Sequence, residues 1–205
     1  MSNIGGIDKL KIEVEFPNKR NNINILLDSI KSFGEIKKVS DLFDSNIQFD
    51  EYFVESWLNH RKFKTELLYR KSRDGSKPDD FHNKCDNQGI TITFIETTKG
   101  CIFWGYTELP WDKSEKYKND KSAFLFSINK KKKYIARNDS PSIYCGANEG
   151  PRFGCGYPEI YLHPTLDKGK SYKGDFCTFI GKRELTNGEE NWNVNELEVF
   201  KIIYI

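Results

Sequence analysis

No stretch of this chain approaches the ~18 consecutive apolar residues that a membrane-spanning helix requires. The first residues, MSNIGGIDKLKIEVEF, lack a basic segment followed by an apolar one, so no secretory signal is expected. Charge of one sign is not in excess. Thirty-two basic residues face 30 acidic ones, for a net charge of +2, which excludes a strong whole-chain field for nucleic acid or a membrane surface. Paired cysteines are also missing. Cys85, Cys101, Cys145, Cys155 and Cys177 are odd in number, irregularly spaced and without a Cys-x-x-Cys. The three histidines, His60, His82 and His163, are scattered and give no zinc-ligand spacing. The expectation is therefore no metal, no cofactor and reduced thiols in the cytosol or nucleus.

What is abundant is aromatic. Phe, Tyr and Trp make up 14% of 205 residues, enough ring area to build a core without disulfides or metal. Leu10, Ile12, Val14 and Phe16 alternate with charged residues and suggest a strand ended by Pro17. Residues 22–33 place Ile23, Leu26, Leu27, Ile30 and Phe33 on one helical face, and Gly34 follows as a stop. Residues 1–40 thus read as a lead-in, and 41–205 as one domain. A second helix fits 49–61, with Phe49, Phe53 and Trp57 inward. A third starts at Ser76, with Asp79 three residues on and Pro78 and Asp80 in its first turn. Phe81 and Cys85 share a face, and Gly89 closes it. After Gly89 the segments TITFIE, CIFWGY, AFLFSI, KKYIA, SIYC, PEIYL and finally NELEVFKIIYI read as strands, separated by turn residues, with TTKG as a tight hairpin. Strands without intervening helices pair antiparallel. The fold class is α+β, mainly β: a two-sheet antiparallel sandwich with a few flanking helices.

The densest polar chemistry lies in LLYRKSRDGSKPDDFHNKCDNQG, residues 67–89. His82 and Cys85 are helical neighbours and could form a nucleophile–base pair. The structural alternative is a small buried thiol with His82 at the rim. It is preferred, because a nucleophile also needs an exposed thiolate of low pKa. Ser72-Arg73-Asp74-Gly75 reads as a turn in which Asp74 or Ser72 bonds the backbone, Gly75 takes positive φ, and Arg73 locks the turn through a carboxylate or carbonyls. An anion site made by Arg70 and Arg73 is the alternative. Gly150, Gly154 and Gly156 suggest a phosphate loop, but the strand–loop–helix context is missing, so a turn and sheet bend are expected. His163-Pro164 reads as a strand-end turn. Lys130, Lys131, Lys132 and Lys133 tip a hairpin, as a solvated loop or as a contact for an acidic partner or nucleic acid.

The order of these segments resembles the TLDc domain, the family of oxidation-resistance proteins. The resemblance runs from about Phe43 to Phe200. It is carried by Phe43-Asp44-Ser45-Asn46-Ile47; by Leu68-Tyr69-Arg70 with Ser72-Arg73-Asp74-Gly75; by Phe81-His82 and Cys85-Asp86; by Gly105-Tyr106-Thr107 with Trp111; by Ala123-Phe124-Leu125-Phe126-Ser127; by Gly150-Pro151 with Phe153-Gly154, then Phe179-Ile180-Gly181; and by Glu196-Leu197-Glu198-Val199-Phe200. Trp104 departs from it, standing where a glycine is usual. The resemblance implies a two-sheet antiparallel sandwich, protection against oxidative stress, and binding to the vacuolar-type proton ATPase that promotes its disassembly or inhibition. It implies no cofactor and no catalytic residues. Arg70, Ser72, Arg73, Asp74 and Gly75 are then a structural lock. Lys130–Lys133, Glu196 and Glu198 are the candidate partner contacts, although a last strand inside the sheet would pair its carboxylates across a face. The function expected is that of a non-enzymatic protein-binding module with no small-molecule substrate and no membrane insertion. The alternatives are a nucleic-acid-binding stress regulator and a peroxide-reactive enzyme using Cys85 or Cys155.

Overall fold

The structure is a computed structural model and describes residues 61–136, 140–172 and 183–205. The strand expected at 10–16, the helix at 22–33 and all of the helix at 49–61 except Arg61 lie outside the described residues, as do Cys177 and the 43–47 and 179–181 motifs.

The described chain begins with β1 (Phe63–Arg70), the one-turn helix α1 (Lys71–Asp74) and α2 (Pro78–Cys85). There follow β2 (Thr91–Thr97), β3 (Ile102–Thr107), β4 (Lys116–Lys118), β5 (Phe124–Ser127), β6 (Lys132–Ile135), β7 (Ile143–Cys145), β8 (Arg152–Phe153), β9 (Tyr161–Leu162) and β10 (Lys168–Lys170). A short 3₁₀ turn, Glu184–Thr186, precedes β11 (Asn191–Tyr204). All pairings between these strands are antiparallel. The larger sheet runs β6-β5-β3-β2-β11-β10-β9, with β1 also against β11; the smaller runs β4-β7-β8. The two-sheet arrangement agrees with the sequence. No helix of the described residues is long and apolar enough to cross a membrane.

The 14-residue β11 organises the large sheet. One side pairs with β2 along its middle, and the other is shared by β10 at its start and β1 at its end. A register shift between Val194 and Glu196 lets Trp192, Val194, Leu197 and Val199 all reach the core between the sheets. That core includes Tyr69, Phe81, Cys85, Ile95, Phe103, Trp111, Leu125 and Phe153. The alternate residues Phe94, Trp104, Tyr106, Phe124, Phe126, Phe200 and Ile202 form a second buried cluster. Burial on both faces explains why TITFIE and CIFWGY read as nearly continuous apolar runs. Trp104 is fully buried there, 5.3 Å from the Phe124 and Phe126 rings. Its neighbour Gly105 points the other way, where an added Cβ would press into the Phe153 ring of the facing sheet. The glycine thus sets how closely the two sheets approach.

The helix near Ser76 is real, but its cap lies one residue later than expected. Lys77 is the cap residue and Pro78 opens the helix. The Lys77 amide donates to Asp80 Oδ2 at 2.9 Å, so Asp80, not Asp79, closes the first turn. Nor does Gly89 close the helix. It ends at Cys85, and Asn87, at positive φ, donates its amide to Trp111 O at 2.9 Å.

Candidate functional site

The 67–89 stretch does form a polar centre, and its geometry is that of a clamp. β1 ends at Arg70, whose amide donates to Asp74 Oδ2 at 2.9 Å and so closes α1 on itself. The same carboxylate takes Arg73 Nε at 3.0 Å and Nη2 at 2.7 Å, and Nη2 also reaches Leu68 O at 3.1 Å. The Arg73 hydrogen bond holds the Asp74 carboxyl below the usual carboxylate range. Gly75 follows at φ 110°, a conformation that L side chains rarely adopt, and a Cβ there would meet the Asp80 carboxylate. Tyr69 Oη donates to Gly75 O at 2.6 Å.

Further bonds fasten the end of β1 and α1 to β11 and to Asp167 beside β10. Arg70 Nε lies 2.7 Å from Glu198 Oε1, the Ser72 amide donates to Glu196 Oε1 at 3.2 Å, and Lys71 Nζ lies 3.0 Å from Asp167 Oδ1. The Glu198 side chain is 0% exposed and Arg70 only 21%. Glu198 is therefore no surface contact: β11 is an inner strand, and its carboxylate neutralises a guanidinium from the neighbouring strand. Glu196, half-buried, serves backbone amides, including that of Leu197 at 2.9 Å. Arg70 and Arg73 do not converge on an open anion site, because each meets a carboxylate of the chain itself. Of the two, Arg70 is the less exposed. Arg73 is 47% exposed.

His82 is not at the rim either. Its side chain is 2% exposed, with Nδ1 at 2.7 Å from Asp86 Oδ1 and Nε2 at 3.0 Å from Gly146 O. It ties α2 to the turn after β7. With both ring nitrogens occupied, it does not serve Cys85 as a base. Burial pushes the Cys85 thiol well up, and it pushes Cys145 up to about 11, so both are protonated at neutral pH. Cys155 is half-buried within the glycine-rich segment. There Gly154 and Gly156 take positive φ beside the two-residue strand β8, which makes a bend in the sheet. His163 closes a turn by accepting the Leu166 amide at 2.8 Å through its carbonyl. Among the described residues no group of three or more His, Cys, Asp or Glu side chains is placed to hold a metal ion.

The lysine run does tip the β5–β6 hairpin, but its four members differ. Lys130 and Lys131 are exposed in the turn, and Lys131 takes φ 50°. Lys132 Nζ pairs with Glu184 Oε2 at 2.6 Å. Lys133 lies over the Phe124 ring at 3.9 Å, and burial lowers its pKa.

The described residues thus form an antiparallel two-sheet domain with a clamped arginine turn at its strand–helix junction. The TLDc domain profile matches residues 37–203, and the chain belongs to that family. A relative is the MTOR-associated protein MEAK7 of Danio rerio, 23% identical over 145 residues. The match covers 66% of this chain and 32% of that protein, so the chain spans about a third of the relative's length.

Proposed function

We propose that this chain is a non-enzymatic protein-binding module that acts in oxidative-stress resistance by binding the cytosolic part of the vacuolar-type proton ATPase and favouring its disassembled or inhibited state. The observation that carries the reading is membership of the TLDc family over residues 37–203. The polar geometry is compatible with it. The side chains that resembled a catalytic kit are consumed by the clamp: Arg70 by Glu198, Arg73 by Asp74, and His82 by Asp86 and Gly146. The place of action is the cytosol or the nucleus. The relative's name records association with MTOR, and a partner of that kind is the nearest competitor for the same module.

A binder shifts an assembly only by its differential affinity for the two states. The chain must therefore bind the released cytosolic sector more tightly than the intact pump, and a tenfold difference corresponds to about 1.4 kcal/mol. The test is titration of the purified chain against both forms, with assembly state followed by sedimentation. Preferential binding to the released sector, with disassembly at saturating chain, is expected. Equal affinity for both, or none for either, overturns the reading.

A further inference from the structure

Two hairpin tips stand side by side at one end of the large sheet. The β2–β3 turn closes through the Gly100 amide to Thr97 O at 2.9 Å, and the β5–β6 turn through the Lys131 amide to Ile128 O at 3.1 Å. Asn129 staples them together. Its Oδ1 accepts the Ile102 amide at 2.7 Å, and its Nδ2 donates to Gly100 O at 3.0 Å. Lys99, from the first turn, therefore joins Lys130, Lys131 and Lys132, from the second, on one end of the sheet. The lysine run at 130–133 is plain in the sequence, but nothing there announces that the distant Lys99 joins it.

The local charges do not balance. Lys99 pairs with Glu189 and Lys132 with Glu184, whereas Lys130 and Lys131 have no ion pair among the described residues. Both existing pairs are solvent-accessible: Lys99 is 69% exposed and Lys132 51%. Exposed pairs of this kind contribute roughly 0–1 kcal/mol, so a competing carboxylate can replace Glu189 at little cost, whereas Glu184 also accepts the Tyr134 hydroxyl at 2.8 Å and stays in place. The tip thus offers two ammonium groups without an ion pair among the described residues, and a third, Lys99, with an exchangeable one, on a backbone fixed by Asn129.

We propose that the paired hairpin tips, through Lys99, Lys130, Lys131 and Lys132, are the docking surface for an acidic, Asp/Glu-rich segment of a protein partner. This rests on the protein-binding reading above and gives it a place and a chemistry. Carboxylates of the partner pair first with Lys130 and Lys131. A further carboxylate then exchanges for Glu189 at Lys99, and the Glu189 side chain returns to water. Duplex DNA fits less well, because phosphate tracking needs a wider positive surface than two net charges. Single-stranded nucleic acid would need exposed rings at the tip for base stacking, and a membrane would need exposed apolar side chains there. The exposed large apolar and aromatic residues, Tyr117, Ile135, Tyr157, Ile203 and Ile205, lie outside both turns.

The test uses the full chain and the double variant Lys130→Glu/Lys131→Glu, with Lys121→Glu, an exposed lysine outside both turns, as control. The probes are a short fluorescent Glu-rich peptide, its Gln counterpart, a duplex DNA, and vesicles containing phosphatidylserine. Wild type should bind the Glu peptide at low salt but not the Gln peptide, and binding should fall as salt rises. The double variant should bind at least ~10-fold more weakly with unchanged melting, while Lys121→Glu stays within about twofold. Undiminished peptide binding by the double variant overturns the proposal. So does no peptide binding by wild type, or displacement of the peptide by DNA or vesicles. A second arm measures the released pump sector. If wild type and double variant bind it equally, this surface is wrong but the proposed function stands. If wild type does not bind it, the proposed function fails, and the peptide arm still decides on the surface.

Discussion

Replacing Arg70 by methionine removes a cation from beside a carboxylate that has no exposure to solvent. Glu198 is 0% exposed and its Oε1 sits 2.7 Å from Arg70 Nε. Breaking a buried pair from one side costs about 3–5 kcal/mol, because the remaining charge is left in a poorly solvated place. The reverse change should cost less. Arg70 is 21% exposed and can turn toward water, and Glu198→Gln keeps an acceptor for it, so about 1–3 kcal/mol is expected. The pair Arg70→Met/Glu198→Leu removes both charges and refills the volume, and it should recover to within about 2 kcal/mol of wild type. Urea unfolding by linear extrapolation measures all three, and for a chain of this size each kcal/mol moves the melting temperature by roughly 2–4 °C. Arg70→Met should therefore lower it by roughly 6–20 °C. A loss under ~1 kcal/mol for Arg70→Met, or a double variant as unstable as the sum of Arg70→Met and Glu198→Leu made singly, would refute the clamp reading.

Gly105→Ala should cost about 1–3 kcal/mol by driving a methyl group into the Phe153 ring, and Phe153→Leu in the same chain should return part of the loss in a thermal melt. Arg73→Ala should cost no more than about 1 kcal/mol, since its pair with Asp74 is nearly half exposed; a larger loss by urea unfolding would place it in the core of the clamp. Burial works against the Asp112 carboxylate, but Lys118 and Ser114 hold its pKa down at about 2, below the unfolded value of about 3.9. A folded pKa depressed in this way gives stability that is full above pH ~4 and is lost as pH falls toward about 2, so Asp112→Asn should flatten the acid limb of stability between those values. Cys85 and Cys145 should resist peroxide and thiol reagents until the domain unfolds; a fast sulfenate at Cys85 at neutral pH, with reductant-dependent turnover, would revive the peroxidase reading.

Strands were legible where apolar residues dominate, because burial on both faces leaves a continuous signal. Thus β2, β3 and β5 fall where TITFIE, CIFWGY and AFLFSI place them. The three-residue β4, KYK, and the two-residue β8 carry too few side chains for any period, and only their neighbours define them. β1 was missed although Phe63, Thr65 and Leu67 alternate with Lys64 and Glu66. Gly75 showed its need for positive φ through its place after Asp74, and the structure agrees. The owner of the buried ion pair was harder to read. Sequence favours Arg73, next to Asp74, whereas the deep pair joins Arg70 to Glu198, 128 residues away. One local sign was available: Glu198 stands between Leu197 and Val199-Phe200, an apolar setting in which a carboxylate needs a cation. The stapling of two hairpin tips by Asn129 leaves no such sign, since a lone asparagine in a turn has many reasons to be there.

The position of β11 governs how the domain can be made. It is the last of the described strands, yet β1, β2 and β10 all pair with it. While the ribosome is still translating residues before 191, β1 and β10 lack their shared neighbour, Arg70 lacks its carboxylate, and the β2–β3–β5–β6 hairpins stand as an incomplete sheet. Closure waits until β11 has been made and then requires contacts between residues more than a hundred positions apart, an order of events that makes folding slow and leaves strand edges open meanwhile. A nascent chain stalled or cut before residue 191 would be a ward of chaperones rather than a smaller version of the domain.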